Sequence, residues 1–257
     1  MKEKDLKQGL RAKILGQKIY FFEALDSTNN CAKALASCET PEGAVVYSEF
    51  QTQGRGRMGR MWTAAPGENL LFTVILRPNL DAEQANLLAF LAAVSVAEAV
   101  ESLTDLPVEV KWPNDLLTRG KKFCGILSEA SFKGEKLDFV VIGIGINVNQ
   151  IDFPNELGLT ATSLKRELAR KIDRVKLFQE VLSRLEKNYL EAKEGKLDDV
   201  LHEWGTRCTM FNREIAIDQQ GRILKGVALR LARDGGLVLE TDGKQVTVLA
   251  GDVTVLS

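Results

Sequence analysis

The strongest constraint on the fold is a change of rhythm along the chain. Up to about Thr209, strand-like and helix-like runs alternate. Beyond Asn212 only short β-prone runs remain, at 215–217, 224–231, 236–240 and 245–249. Asp234-Gly235 and Asp242-Gly243 between them are hairpin turn signals. The pattern predicts an α+β protein. Residues 1–209 should form a mixed sheet flanked by helices, and residues 210–257 a small β-barrel. That tail is too small to hold much of an active site by itself, so chemistry is expected in the first part.

Local signals set the elements of that part. Asp26 or Ser27 caps a helix reaching about Ser37. Strands are predicted at 44–50 and 69–76, the second stopped by Pro78. Asp81 opens a long helix to about Leu103, with Gln84 completing a capping box. Strands follow at 108–112, 123–130 and 137–147, the last two separated by a turn near Lys133-Gly134. Asp173 opens an amphipathic helix on which Val175, Phe178, Val181, Leu182, Leu185 and Tyr189 fall at helical spacing, and Gly195 stops it.

Composition removes several function classes. The net charge of -1 gives no global attraction to nucleic acid or anionic lipid. The longest apolar stretch, 82–100, is interrupted by Glu83, Gln84, Asn86, Ser95 and Glu98, which suits a buried helix better than a membrane span. Residues 1–17 are charged and lack the apolar centre of a signal peptide. The four cysteines, Cys31, Cys38, Cys124 and Cys208, are scattered and form no CxxC pair. They fit a reducing cytoplasm and argue against a protein-bound metal. The single histidine, His202, reads as a helix-surface residue. Chemistry that needs no imidazole base is therefore expected.

Three segments carry candidate chemistry. Gly54-Arg55-Gly56-Arg57-Met58-Gly59-Arg60 combines glycines that let a ligand approach the backbone with planar cationic donors suited to phosphate and carboxylate. It is neither a phosphate-binding P-loop nor a dinucleotide fingerprint. A solvated loop or a nucleic-acid tract is the plain alternative. Its brevity and its run into Met61-Trp62 favour a loop that closes over a small anion. Lys111-Trp112-Pro113-Asn114-Asp115 ends a strand in a polar turn, and Lys121-Lys122 leads into the apolar strand 123–127. Gly143 and Gly145 interrupt a strand that exits through Asn147 and Asn149, a sign of close packing against its backbone. Such a set suits a carboxylate attacking the α-phosphate of ATP. The nucleophile is already ionised, with a pKa near ~4. What the reaction needs is positive charge to join two anions.

Taken together, Ser27-Thr28-Asn29, the loop Gly54 to Trp62, Lys111 to Asp115, Lys122 to Leu127 and Gly145 to Asn149 resemble the ordered motifs of the biotin protein ligases, over about residues 20–165. Gly251-Asp252-Val253 resembles the end of that family's C-terminal domain. The resemblance implies a class II synthetase-like catalytic domain and an SH3-like barrel. It implies biotin and ATP as substrates, Mg2+ travelling with ATP, and a biotin carboxyl carrier protein of acetyl-CoA carboxylase or another biotin-dependent carboxylase as acceptor. It also implies a homodimer as one possible assembly.

Residue roles follow from the same resemblance. Ser27, Thr28, Asn29 and Gln51 would bind the biotin head group, together with Gly54. Arg55, Gly56 and Arg57 would order over biotinyl-AMP after biotin binds. Trp62 would cover the adenosine side, Asn147 would contact adenine, and Lys122 would sit between carboxylate and phosphate. Lys111 would add positive potential, and Asp115 would orient the acceptor amine. Arg57, Lys111, Asp115 and Lys122 are the catalytic candidates.

Two departures stand out. The segment before Ser27 is too short for the DNA-binding domain of the bifunctional members, so no DNA binding is expected. Met58 occupies a position where basic residues are frequent, which predicts slightly weaker retention of the intermediate. A lipoate or octanoate ligase of the same superfamily is the second reading, and a ligand-sensing nucleic-acid regulator the third.

Overall fold

The computed structural model describes residues 1–154 and 157–256. Ser257, the last residue of the predicted tail, lies outside the described residues. Among these, the helices are α1 (Glu3–Lys7), α2 (Thr28–Ser37), α3 (Ala82–Leu103), α4 (Leu157–Thr160), α5 (Leu164–Leu168), α6 (Arg174–Lys193) and α7 (Leu197–Thr206). Seven strands build the first sheet: β1 (Ile19–Phe22), β2 (Val45–Ser48), β3 (Leu70–Leu76), β4 (Glu109–Lys111), β5 (Asp115–Thr118), β6 (Lys121–Lys133) and β7 (Lys136–Ile146). Their order is β1-β2-β3-β7-β6-β5-β4. Only β1 and β2 run parallel, so the sheet is mixed. The second sheet is antiparallel, with β8 (Glu214–Gln219), β9 (Arg222–Leu231), β10 (Leu237–Thr241), β11 (Lys244–Val248) and β12 (Asp252–Val255) in the order β11-β10-β9-β8-β12.

The α+β expectation is met, and the caps of the two long helices act as read, whereas Ser27 occupies the cap position of α2 without a side-chain cap hydrogen bond. Asp81 and Gln84 form the reciprocal capping box of α3, and Asp173 accepts from two backbone N–H groups at the start of α6. Asp242 and Gly243 both take positive φ, 50° and 70°, as a tight two-residue hairpin between β10 and β11 requires. The 111–115 segment differs from the reading. The turn is confined to Trp112-Pro113-Asn114, and Asp115 already begins the returning strand β5. The short strands β1 and β12 offered too few residues for a periodic signal.

Side chains alternate across a sheet, and directly paired residues share a face. On one face, Phe72, Val74, Ile126, Ile142 and Ile144 join the main core. There α3 packs against α6, α7 and the sheet. Helix α3 is the one described helix long and apolar enough to cross a membrane, and its apolar residues are buried in this core. On the other face, Ala32 and Ala36 of α2 pack on Val46, Ile75 and Val141. Helix α2 covers only one end of that face. Toward and beyond its start, Gly125, Gly143 and Gly145 carry no side chain, so other groups can approach the strand backbone closely.

The second sheet shares this interior. Ile215, Ile217, Ala228, Leu237 and Val248 belong to the same apolar cluster as α3. Gly235, with φ 82°, sits against Phe90 and Leu87, where a side chain has no room.

The N-terminal segment is fastened by one carboxylate. Glu186 of α6, 9% exposed, accepts the backbone N–H of Lys13 at 2.7 Å, Ile14 at 2.6 Å and Leu15 at 2.8 Å. Glu186→Gln keeps the shape but turns an amide N–H toward those donors. The expected loss is ~2–3 kcal/mol of unfolding free energy, readable in urea denaturation. An unchanged midpoint would remove Glu186 from the anchoring of this segment.

Candidate active site

The glycine face is the floor of a cavity of about 550 Å³. Its walls come from the start of α2, the loop before Trp62, the β4–β5 turn, α4 and, from the second sheet, Asp252 and Val253. Asp115, Gly125 and Gly145 are register partners across β5, β6 and β7, so they lie in one row on this face. Lys122 stands three residues before Gly125 and would face away in a regular strand. A register shift between Leu116 and Leu117 pairs them with Cys124 and Lys122, so Phe123 is an extra residue in β6. The bulge re-aims Lys122 toward the cavity. Its ammonium lies 2.6 Å from the Asp115 carboxylate and 5.5 Å from the Trp62 ring centroid.

Trp62 explains two of the glycines. A Cβ on Gly145 would stand 2.7 Å from the indole, and one on Gly125 2.9 Å from it. The indole therefore lies flat on the strand backbone. Its buried N–H has no partner among the described residues. Gly143 serves a second approach, because a Cβ there would overlap the Asn29 amide oxygen.

At that end the polar side chains are buried and cross-linked. Ser27, Thr28 and Asn29 are at most 4% exposed. The Thr28 backbone N–H and hydroxyl both donate to Gln51 Oε1, at 2.7 and 3.0 Å. The buried Thr73 hydroxyl lies 2.8 Å from that of Thr28 and 2.7 Å from Asn29 Oδ1. Asn29 Nδ2 donates to the Leu127 carbonyl at 3.1 Å and to Glu129 at 2.8 Å.

The arginine loop is a small closed turn. Trp62 N–H donates to the Gly54 carbonyl at 2.9 Å and Gly56 N–H to the Arg60 carbonyl at 2.8 Å. Arg57–Gly59 forms one 3₁₀ turn, with Met58 at φ 53°. Arg55 donates to Asn30 Oδ1 at 2.7 Å, and Arg60 pairs with Asp252 of β12. Arg57 lines the cavity, and its guanidinium makes no hydrogen bond or close ion pair among the described residues. Burial pulls its pKa down, against the opposing charges of Asp252 and Asp115. A partly buried guanidinium without a close partner is suited to an anionic ligand.

Every other predicted site residue also lines this cavity except Gly54. Gly54 is buried at the loop base, where a Cβ would strike the Trp62 carbonyl, so its place in the geometry is to close the loop. Lys111 is the register partner of Asp115. Asn147 donates to the Thr162 carbonyl at 3.1 Å, while its buried Oδ1 has no partner among the described residues. Asn149 instead closes a buried pair with the backbone of Ile172.

Trp112 points to the second sheet, its indole N–H donating to the Gly235 carbonyl at 3.0 Å. His202 lies apart, in a groove with Phe211 and Leu231. The four cysteines are free, with Cys124 buried in the core.

The sequence reading missed Thr73 and Glu129, and it named Arg60 and Asp252 within their segments without foreseeing their pairing. Thr73 had one available signal: it is the lone polar residue in the apolar run Leu70 to Leu76. Glu129 carries no local mark, because partners far along the chain define it.

This arrangement can hold a flat polar group against α2, a nucleotide base near Asn147 and two acid groups between Lys122 and the arginine loop. Similarity to known proteins agrees. Residues 21–147 match the model of the biotin/lipoate A/B protein ligase family. The chain is 35% identical over 255 residues to the bifunctional ligase/repressor BirA of Bacillus subtilis, covering 98% of this chain and 78% of that protein. It is 31% identical over 220 residues to the biotin–[acetyl-CoA-carboxylase] ligase of Mycobacterium tuberculosis, covering 84% of this chain and 80% of that protein. The fold superposes on a biotin protein ligase from Aquifex aeolicus in complex with biotin and ATP, with a TM-score of 0.79, 28% identity, and coverage of 93% and 99% of the two chains. Joined to a cavity in which nearly all the motif residues converge, these similarities show that the chain belongs to the biotin protein ligases of the biotin/lipoate A/B protein ligase family.

Proposed function

We propose that the chain forms biotinyl-5′-AMP from biotin and ATP, and then acylates a lysine of a biotin carboxyl carrier protein. The carrier belongs to acetyl-CoA carboxylase or another biotin-dependent carboxylase. One observation carries this reading: a single cavity holds a buried polar cluster at one end and, at the other, the Asn147 acceptor that has no partner among the described residues, with the Lys122 ammonium and the Arg57 guanidinium among its walls.

The biotin head group binds Ser27, Thr28, Asn29 and Gln51. Its carboxylate reaches Lys122, and the adenine amino group donates to Asn147 Oδ1. In the first step a carboxylate oxygen attacks the α-phosphorus and the bond to pyrophosphate breaks. Lys122, Arg55 and Arg57 neutralise the charge that gathers there, Lys111 adds to the potential, and Mg2+ enters on the triphosphate as part of the substrate. Trp62, flat on Gly125 and Gly145, shields the intermediate from water. In the second step the acceptor amine attacks the acyl carbon, AMP leaves, and the amine releases a proton. Asp115 orients that amine once the ligand draws Lys122 away. No step requires an imidazole.

Residues 1–209 act as the catalytic unit. Residues 210–257 complete its wall through Asp252 and support the β4–β5 turn through Gly235. The cytoplasm suits both the ATP supply and four free thiols.

The reading is tested by ATP–pyrophosphate exchange. Exchange should depend on biotin, and exchange driven by lipoate or octanoate alone would overturn it. Arg57→Ala removes a charge-assisted contact of ~1.5–3 kcal/mol, so the adenylate should escape roughly 10–100-fold faster, with a higher apparent KM for biotin. Retention of labelled adenylate at the wild-type rate would exclude Arg57 from the site.

A further inference from the structure

Glu129 does not line the cavity and belongs to none of the motif residues, yet both ends of the biotin-facing wall hang on it. It lies on β6 two residues beyond Leu127 and four beyond Gly125, on the glycine face of the sheet. One carboxylate oxygen accepts from Asn29 Nδ2 at 2.8 Å. The other accepts from Lys33 Nζ at 2.8 Å and lies 3.4 Å from the Arg55 guanidinium.

These contacts do two separate things. A carboxylate only accepts hydrogen bonds. Glu129 and the Leu127 carbonyl therefore force the Asn29 amide to present Nδ2 to them and Oδ1 to Thr73. Asn29 Oδ1 thus accepts from the Thr73 hydroxyl, so this half-buried carboxylate fixes the orientation of the amide that lines the polar pocket. At the same time Glu129 and Asn30 tether Arg55, which bridges to Met61 at the foot of the arginine loop. Burial raises the Glu129 pKa, but the hydrogen bonds from Lys33 and Asn29 and the two cations outweigh it, and the net shift is downward. The carboxylate thus stays charged. An ion pair this open to water adds little stability, so its value lies in geometry.

We propose that Glu129 is a positioning residue that couples occupation of the polar pocket to closure of the arginine loop, through Asn29 on one side and Arg55 on the other. This rests on the biotin reading above. Glu129→Gln keeps the size but offers only one acceptor atom, and its amide N–H faces either Asn29 or the two cations.

The test uses the full chain. Biotin Kd is measured by calorimetry, tryptic cleavage after Arg55, Arg57 and Arg60 with and without saturating biotin, and KM for ATP alongside. For Glu129→Gln we expect biotin affinity to fall by about tenfold or more, as for loss of a charge-assisted hydrogen bond. Loop cleavage should continue at saturating biotin, with KM for ATP little changed. Glu129→Asp, which keeps the charge, should restore part of the affinity and part of the protection, and it stands in if Glu129→Gln fails to fold. Wild-type affinity together with a protected loop in Glu129→Gln would overturn the proposal. So would weakened affinity with full protection at saturation, which breaks the coupling. If the wild-type protein itself shows neither biotin binding nor protection, the biotin reading fails first. If the wild type shows both and Glu129→Gln matches it, only this inference falls.

Discussion

The ammonium of Lys122, held beside Asp115 at 2.6 Å and near the face of Trp62, is the interaction around which the cavity is arranged. It depends on a small irregularity of backbone, the extra residue Phe123 in β6. Without that bulge, strand alternation would send Lys122 to the face packed by α3. Asp115 is in place because it is the register partner of Gly125, and Gly125 is a glycine because Trp62 lies against it. Charge, register and close packing are therefore one arrangement, and altering any of them moves the others.

The two sheets meet at this site. The first supplies the floor and most of the polar groups, while the second supplies Asp252 to Arg60 and the Gly235 carbonyl to Trp112. The arginine loop is thus held from both sides, by Asn30 and Glu129 at Arg55 and by Asp252 at Arg60. Arg57, between these tethers, makes no close ion pair among the described residues. A guanidinium left without a partner between two fastened neighbours is poised for an anion that arrives from solution.

Much of this was legible in the sequence, for physical reasons that differ by element. The long helices announced themselves through caps and periodicity, as Asp81, Gln84 and Asp173 illustrate. The motif segments each had an ordinary structural alternative, and only their occurrence together and in order pointed to a cationic site. Gly143 and Gly145 pointed to close packing, but nothing local revealed that the visitors were Asn29 and Trp62. Asp115 was read as the end of a turn, although pairing with Lys111 makes it a strand residue. Glu129 was invisible because its partners, Asn29, Lys33 and Arg55, lie far earlier in the chain. Long-range pairings of this kind carry no mark in a local sequence pattern.

The central claim is electrostatic: cations at fixed positions, with no imidazole, let one anion attack another. Lys122→Met tests it most directly, since methionine keeps an unbranched side chain, one atom shorter, and removes its charge. Under single-turnover conditions with saturating biotin and Mg·ATP, adenylate formation should slow by ~10²–10³-fold, the scale for losing one preorganised charge contact in a transition state. Formation at the wild-type rate would contradict the account.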